Sequence, residues 1–239
     1  MIKIIINLVF SINILFIQNS IEFFYKNDGI KEAAELSEYS NDDLEKYALN
    51  KEIPDAIREV TLEALSYFPD LLDIKIDFQF KNRISGSVMQ AQPKIGSLIL
   101  NKKENRAYKI KISRYLELED EAVLIEELPH DVLLGWIGHE LGHIKDYLER
   151  SALNMMGFGI QYYCSDNFVT EAEIAADSHA VAYGLGKKII ATKNFVLNHD
   201  RLPDDYKNKI KTLYMSPGEI LSLVEVQEDD EQDQDGSSR

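Results

Sequence analysis

His139 and His143 stand four residues apart in the stretch WIGHELGHIKDY, residues 136–147, and Glu140 follows the first histidine directly. Four residues of helix turn through 400°, so the two imidazoles lie about 40° and one turn apart, on one side. Histidines placed like this can share one metal ion. Glu140 sits one position round, beside that ion and aimed at its open position, where a carboxylate can take a proton from a water. This is the chemistry of the H-E-x-x-H pattern. A catalytic zinc needs a third protein ligand as well as an open position.

The third ligand is sought in TEAEIAADSHAVAYG, residues 170–184, which offers Glu171, Glu173, Asp177 and His179. Glu171 and Glu173 project about 200° apart on a helix, so only one of them can face the histidines. Glu173 and Asp177 are four apart and share a face. A competing role exists, because Thr170-x-x-Glu173 also fits a capping box, which would engage the glutamate with backbone amides. Ala172, Ala175, Ala176 and Ala180 make this helix thin. The histidine helix carries Gly135, Gly138 and Gly142, each costing roughly 1 kcal/mol in a helix interior. Close approach of the two helices gives these glycines a reason.

HELGH followed after 30 residues (173 − 143) by EIAAD resembles the gluzincin zinc peptidases. The pattern is similar to that of the integral-membrane CAAX-prenyl and heat-shock peptidases and of their small soluble relatives, the minigluzincins. The resemblance covers roughly residues 54–190. It implies one zinc ion on His139, His143 and Glu173, Glu140 as catalytic base, and Asp177 as an acid that orients a ligand histidine. It implies a zinc metalloendopeptidase acting on a peptide or protein. In such relatives an edge strand above the cleft aligns the substrate, and either VMQAQP or AYKIKI could serve. An oxyanion partner is normally also needed; His179 and Tyr183, which follow Asp177, are the candidates. Two other readings stay open: a non-catalytic zinc-containing binding protein on a peptidase fold, and a cytoplasmic regulatory peptidase.

The elements that must position these residues follow from periodicity. Pro54 opens a helix through PDAIREVTLEALSYF, and DIKIDFQF alternates Ile74, Ile76, Phe78 and Phe80 as a half-buried strand. SGSVMQAQP and RAYKIKIS are further strands, with NKKEN as the hairpin tip between them. From about 117 the chain is expected to be helical: ELEDEAVLIEEL, a break at Pro129, the two motif helices, and pieces near 187–197 and 203–213. The expected fold class is α+β, a small antiparallel sheet with a mainly helical, zincin-like half carrying the metal site.

The 239 residues suit one domain, and the formal charge of −15 argues against a nucleic-acid partner. Much of that charge lies in the tail 225–239, which has seven acids against one Arg and reads as disordered. At the other end, Lys3 and an apolar run from Ile4 to Ile17 read as a secretory signal peptide over 1–19, with uncleaved anchoring as the alternative. This expects a periplasmic or extracellular protein whose catalytic part, 53–224, is not membrane-embedded. Residues 20–52 form a polar segment before it. Cys164 is the only cysteine, so no intrachain disulfide and no cysteine metal site can form.

Overall fold

The computed structural model describes residues 41–102, 105–150 and 166–236. The signal-peptide reading of 1–19 and most of the polar segment 20–52 lie outside the described residues. Among the described residues, no helix is long and apolar enough to cross a membrane.

Four strands form the larger sheet: β1 (Lys51–Glu52), β2 (Lys75–Lys81), β3 (Met89–Pro93) and β4 (Ala107–Ser113). Their order is β1-β2-β4-β3, so β4 is interior and β3 forms one edge. The period-2 pattern of the sequence is realised. Ile76, Phe78, Met89, Ala91, Tyr108, Ile110 and Ile112 are buried, and the register pairs Ile76 with Tyr108, Phe78 with Ile110, and Ala91 with Ile110 from the other side. Lys109 and Lys111 lie between them on the opposite face, opposed by Asp77, Gln79, Gln90 and Gln92. One face therefore packs on the protein interior and the other carries polar side chains.

The class is α+β, but the larger sheet is mixed rather than antiparallel. β3 and β4 pair antiparallel, whereas β1 with β2 and β2 with β4 are parallel. The connection between β3 and β4 is longer than the hairpin tip expected at NKKEN, because it contains a short helix, α2 (Ile95–Leu100). β1 comes from the end of the polar segment 20–52, so the boundary expected at 53 falls beside a strand of the sheet.

A second correction concerns ELEDEAVLIEEL. It forms a two-stranded antiparallel unit, β5 (Tyr115–Glu117) with β6 (Ala122–Leu124), followed by a 3-10 turn, Ile125–Glu127. Leu116 and Leu118 are buried while Tyr115 and Glu117 are exposed, an alternation that suits a strand.

The helical half is built around α3 (His130–Glu149), which starts directly after Pro129. Pro129 has extended backbone geometry and cannot donate a helix bond, so the start is sharp. This helix is buried from Val132 to Ile144 without interruption, as expected of a helix enclosed on several sides. An earlier helix, α1 (Arg58–Ser66), packs on it, as does the edge strand β3. α4 (Asp166–Ala180) and α5 (Gly186–Asn198) cover other faces. A π-helical turn, Val181–Leu185, joins those two, with Gly184 at φ 87°, a left-handed value that favours glycine. α6 (Asp204–Leu213) packs on α4 and α5. α7 (Pro217–Gly236) packs on α5 through Val224, which lies against Gly186. This helix runs into the acidic tail as far as Gly236.

The glycines of α3 do what their cost suggests. A methyl group on Gly142 would overlap the Ala176 carbonyl of α4, and one on Gly135 would overlap the Lys188 carbonyl of α5. Backbones approach this closely only where no Cβ intervenes. Ala172, Ala176 and Ala180, buried at four-residue intervals, present the matching thin face of α4.

Candidate metal centre

The close contact at Gly142 and Ala176 sets the site, because the residues that flank it carry the chemistry. His139 and His143 lie on one side of α3, and Glu173 and Asp177 lie on the facing side of α4. The Nε2 atoms of His139 and His143 are 3.0 and 3.2 Å from the same oxygen, Oε2 of Glu173. Glu173 therefore faces the histidines. α4 begins at Asp166, so Thr170 is interior to the helix and the capping-box alternative does not apply. The two rings are nearly perpendicular, at 85°, with centroids 4.7 Å apart.

These three side chains are buried and their ligand atoms all lie within 4.8 Å of one another, so they form a group that could hold a metal ion. The donor set and spacing fit such an ion. Bonds of about 2.0–2.1 Å in tetrahedral geometry place ligand atoms about 3.3–3.4 Å apart. The observed separations of 3.0 and 3.2 Å would need to open by only a few tenths of an ångström. The ring nitrogen of His139 turned away from the group, Nδ1, meets Asp177 Oδ1 at 2.9 Å, the arrangement that fixes the tautomer of a ligating imidazole.

Burial would lower the pKa of His139, but the Asp177 and Glu173 carboxylates outweigh it and raise the group to about 10. Glu173 moves the other way. Burial raises its pKa, while His143 and His139 together hold it well below the usual carboxylate range. In the metal-free protein a proton thus sits within the cluster. A histidine whose folded pKa is raised keeps its proton until the pH passes that value, so at pH 7 a metal must displace it. Metal uptake at pH 7 is expected to release about one proton per ion, and affinity to fall as the pH is lowered. Calorimetric titration in buffers of different ionisation enthalpy measures this directly. Proton-independent uptake would contradict it.

Asp177 is fully buried. Burial alone would raise its pKa, but His139 and Lys193 hold it ionised. Lys193, on α5, places Nζ 2.8 Å from Asp177 Oδ2. The polar chain thus runs from Lys193 through Asp177 to His139. Glu140 is also buried, and its Oε2 accepts the Ala91 N–H of β3 at 2.5 Å. Burial raises its pKa, against a smaller opposing effect of both histidines and the Ala91 amide.

The position of Ala91 settles which strand meets the site. β4 is interior, so of the two strands considered only β3 has an open edge. Ser113 N donates to Val88 O and Lys94 N to Ala107 O, so even-numbered residues of β3 bond to β4, and the backbone N–H and C=O of Met89 and Ala91 and the C=O of Pro93 face away from it. Both backbone groups of Ala91 are engaged by α3: its N–H by Glu140, and its C=O by the Tyr147 hydroxyl at 3.3 Å.

His179 and Tyr183 are not brought to the cluster as oxyanion partners. His179 lies 3.9 Å from Glu149 near the end of α3. The Tyr183 hydroxyl donates to Asp70 at 2.7 Å, its ring stacks on Phe68, and Lys145 also binds that aspartate. Both follow α4 round to another face, since six residues of helix turn 600° and leave His179 about 120° from Glu173.

The side chains that do reach the site come from farther along. A cavity of about 40 Å³ adjoins His139, Glu140 and Asp177, and its walls include Trp136, Lys193, Tyr206, Ile210 and Tyr214. Tyr206, Ile210 and Tyr214 recur at four-residue spacing, so one stripe of α6 and the residue after it forms a wall. That stripe was readable as a helix face, but nothing local indicates what it covers. Lys193 had a clearer signal, a lysine between Ile189 and Val196 on the apolar face of its helix. His130 and His199 lie at helix ends, away from the cluster; His130 pairs with Glu63 at 2.9 Å. Compared with known protein families, with curated proteins and with solved structures, the chain matches none.

Proposed function

We propose that this chain is a zinc-dependent endopeptidase of the gluzincin type. The observation that carries this reading is Glu140. A structural zinc is closed by four protein ligands; here three side chains converge, and a further acidic side chain, Glu140, is buried beside them at the edge of β3.

The metal would be held by His139, His143 and Glu173, with Asp177 fixing the His139 ring. A bound zinc ion supplies Lewis acidity, polarising the scissile carbonyl and making water acidic enough to attack near neutral pH. Glu140 acts as the general base. Its raised pKa suits a group that must take a proton from water and then return it to the leaving amine. The Ala91 N–H fixes one carboxylate oxygen and leaves the other for the proton. An extended substrate lies along the outward edge of β3, displacing the Tyr147 hydroxyl from the Ala91 C=O while the Ala91 N–H stays with Glu140.

Tyr206 takes the oxyanion role for which the sequence suggested His179 or Tyr183. It lines the cavity with His139 and Glu140. Burial, with the nearby Glu140 and Glu173 carboxylates, pushes its phenol well up, so it remains a hydrogen-bond donor at neutral pH. Removing one oxyanion donor typically costs about 100- to 1,000-fold in kcat. Tyr206→Phe is expected to lower kcat about 100-fold with little change in KM; a loss confined to KM would assign Tyr206 to substrate binding instead.

Cleavage of a generic peptide library by the zinc-loaded chain, read by mass spectrometry, tests the function. Internal cuts that cease on chelation support it. An intact library with zinc bound stoichiometrically would overturn it.

A further inference from the structure

The short helix α2 (Ile95–Leu100) turns an apolar side to the outside. At about 100° per residue, positions 95, 96, 99 and 100 fall within an arc of about 140°, with 97 and 98 opposite. The opposite side is the anchored one: Leu98 is buried, and the Ser97 hydroxyl accepts the Ala107 N–H at 2.7 Å. Outward stand Ile95, 72% exposed, and Leu100, 83% exposed, the two most exposed large apolar side chains among the described residues. A methyl group added at Gly96 would meet nothing within 4 Å. Position 99 is isoleucine. Single exposed apolar residues are ordinary, but a helix face with no polar residue in it marks a contact surface.

The charge around the helix indicates its partner. Lys94 stands directly before it, and Lys102 follows one residue after its end. Lys94 Nζ lies 3.4 Å from Asp77, so the helix starts beside the polar face of the larger sheet. That face carries Lys75, Lys81, Lys109 and Lys111 on β2 and β4, and the acids among its strand residues are Glu52 and Asp77. Burial lowers the pKa of Lys111, and the charges of Lys109 and Lys81 lower it further, so these lysines repel one another. Lysines thus outnumber acids here, in a chain whose net charge is −15. Such a patch attracts an anion. No outward strand residue on it is aromatic, so it lacks the stacking platform of a single-stranded nucleic-acid site. Two copies of the chain meeting through α2 would bring their lysines together. An anionic bilayer suits both features, because aliphatic side chains enter the boundary of headgroups and acyl chains while lysines meet lipid phosphates.

We infer that α2 and the lysines beside it dock on the surface of an anionic membrane, with Ile95 and Leu100 inserted at its boundary. β3, whose edge meets Glu140, runs directly into α2, so docking holds that edge close to the membrane. The inference does not depend on the peptidase reading.

The test mixes the full chain with vesicles of phosphatidylcholine, alone or with about one-third phosphatidylglycerol, and measures binding by sedimentation. The wild type is expected to bind the anionic vesicles ten-fold or more tightly than the neutral ones, and high salt to remove the difference. A lysine at such a surface strengthens binding about five-fold, so Lys94→Gln/Lys102→Gln should weaken it about 25-fold on anionic vesicles alone. Ile95→Ser/Leu100→Ser should weaken it ten-fold or more. Both side chains are exposed, so the fold should persist, which circular dichroism checks. Leu100→Trp reports insertion at the helix itself: its added fluorescence, above that of Trp136, should be quenched by brominated lipid. Equal binding to both kinds of vesicle overturns the inference. So does binding that survives either pair of substitutions, which would assign it to another segment such as the apolar run Ile4–Ile17. An added tryptophan that escapes quenching on vesicle-bound protein overturns it too. Blue-shifted emission of that tryptophan before vesicles are added would mean that the chain or a second copy covers the face, and release from vesicles by RNA would assign the lysines to nucleic acid. Either result overturns the inference.

Discussion

Glu140→Gln is expected to lower peptide hydrolysis about 1,000-fold, within the range of about 100- to 10,000-fold that general-base catalysis contributes. Zinc content should be unchanged, because Glu140 is not one of the three side chains that converge as ligands. The substitution is close to isosteric, and a glutamine oxygen can still accept the Ala91 N–H that Glu140 Oε2 accepts now. What it cannot do is take the proton. Stability should move in the opposite direction to activity. Burial raises the pKa of Glu140, so its ionised form is disfavoured in the folded protein. A carboxyl raised in this way weakens the fold as the pH climbs above its unfolded value, and a neutral amide removes that effect. The variant should therefore melt no lower than the wild type at pH 7, with the difference shrinking below pH 4. Thermal melts at the two pH values and hydrolysis at saturating substrate check both halves. Retained activity would remove Glu140 from the mechanism.

Gly142→Ala is expected to disturb the site directly. The added methyl would overlap the Ala176 carbonyl, with the Ala176 carbonyl carbon and Cα also close by. Backbone cannot rotate aside as a side chain can, so α3 and α4 must separate. Overpacking of this kind costs about 1–3 kcal/mol, and the gain in helix propensity of about 1 kcal/mol offsets only part of the upper figure. The larger effect is on the site. Ala176 lies between Glu173 and Asp177, so any outward shift of α4 carries both carboxylates away from His139 and His143. Zinc affinity should fall by 100-fold or more. Gly138→Ala is the control, because its methyl meets only the tip of the Leu185 side chain, which can turn away. That variant should keep its zinc. Denaturant melts and competition titrations with a zinc indicator compare the two, and equal losses would mean that the close approach at Gly142 is not what places the ligands.

The buried cluster that could hold a metal was legible in the sequence because its members lie on two helices whose periodicity fixes each side chain's direction. H-E-x-x-H sets His139, Glu140 and His143 on one turn, and four-residue spacing sets Glu173 and Asp177 together. The glycines and alanines between them announce close packing. Sheet order was less legible, since alternation in β2, β3 and β4 identifies strands but not which neighbour each pairs with. The hairpin at 115–124 was read as helix because acidic residues obscure a two-residue period carried by only Leu116 and Leu118. The oxyanion candidates failed for a different reason. His179 and Tyr183 are near Asp177 in sequence, but helical rotation takes them to another face, while Tyr206 reaches the cavity from α6. Lys193 and Asp177 are likewise joined only by the packing of α5, α4 and α3. Contacts between distant segments are what local pattern does not encode.

The most direct test of the account is a zinc titration of chelator-treated protein with peptide cleavage measured at each step. Cleavage is expected to be absent at zero zinc, to rise linearly and to level off at one zinc per chain, with the same titration of a His139→Ala/His143→Ala variant flat throughout. Cleavage that persists without zinc, or zinc bound one to one with no cleavage, would contradict a catalytic metal at His139, His143 and Glu173.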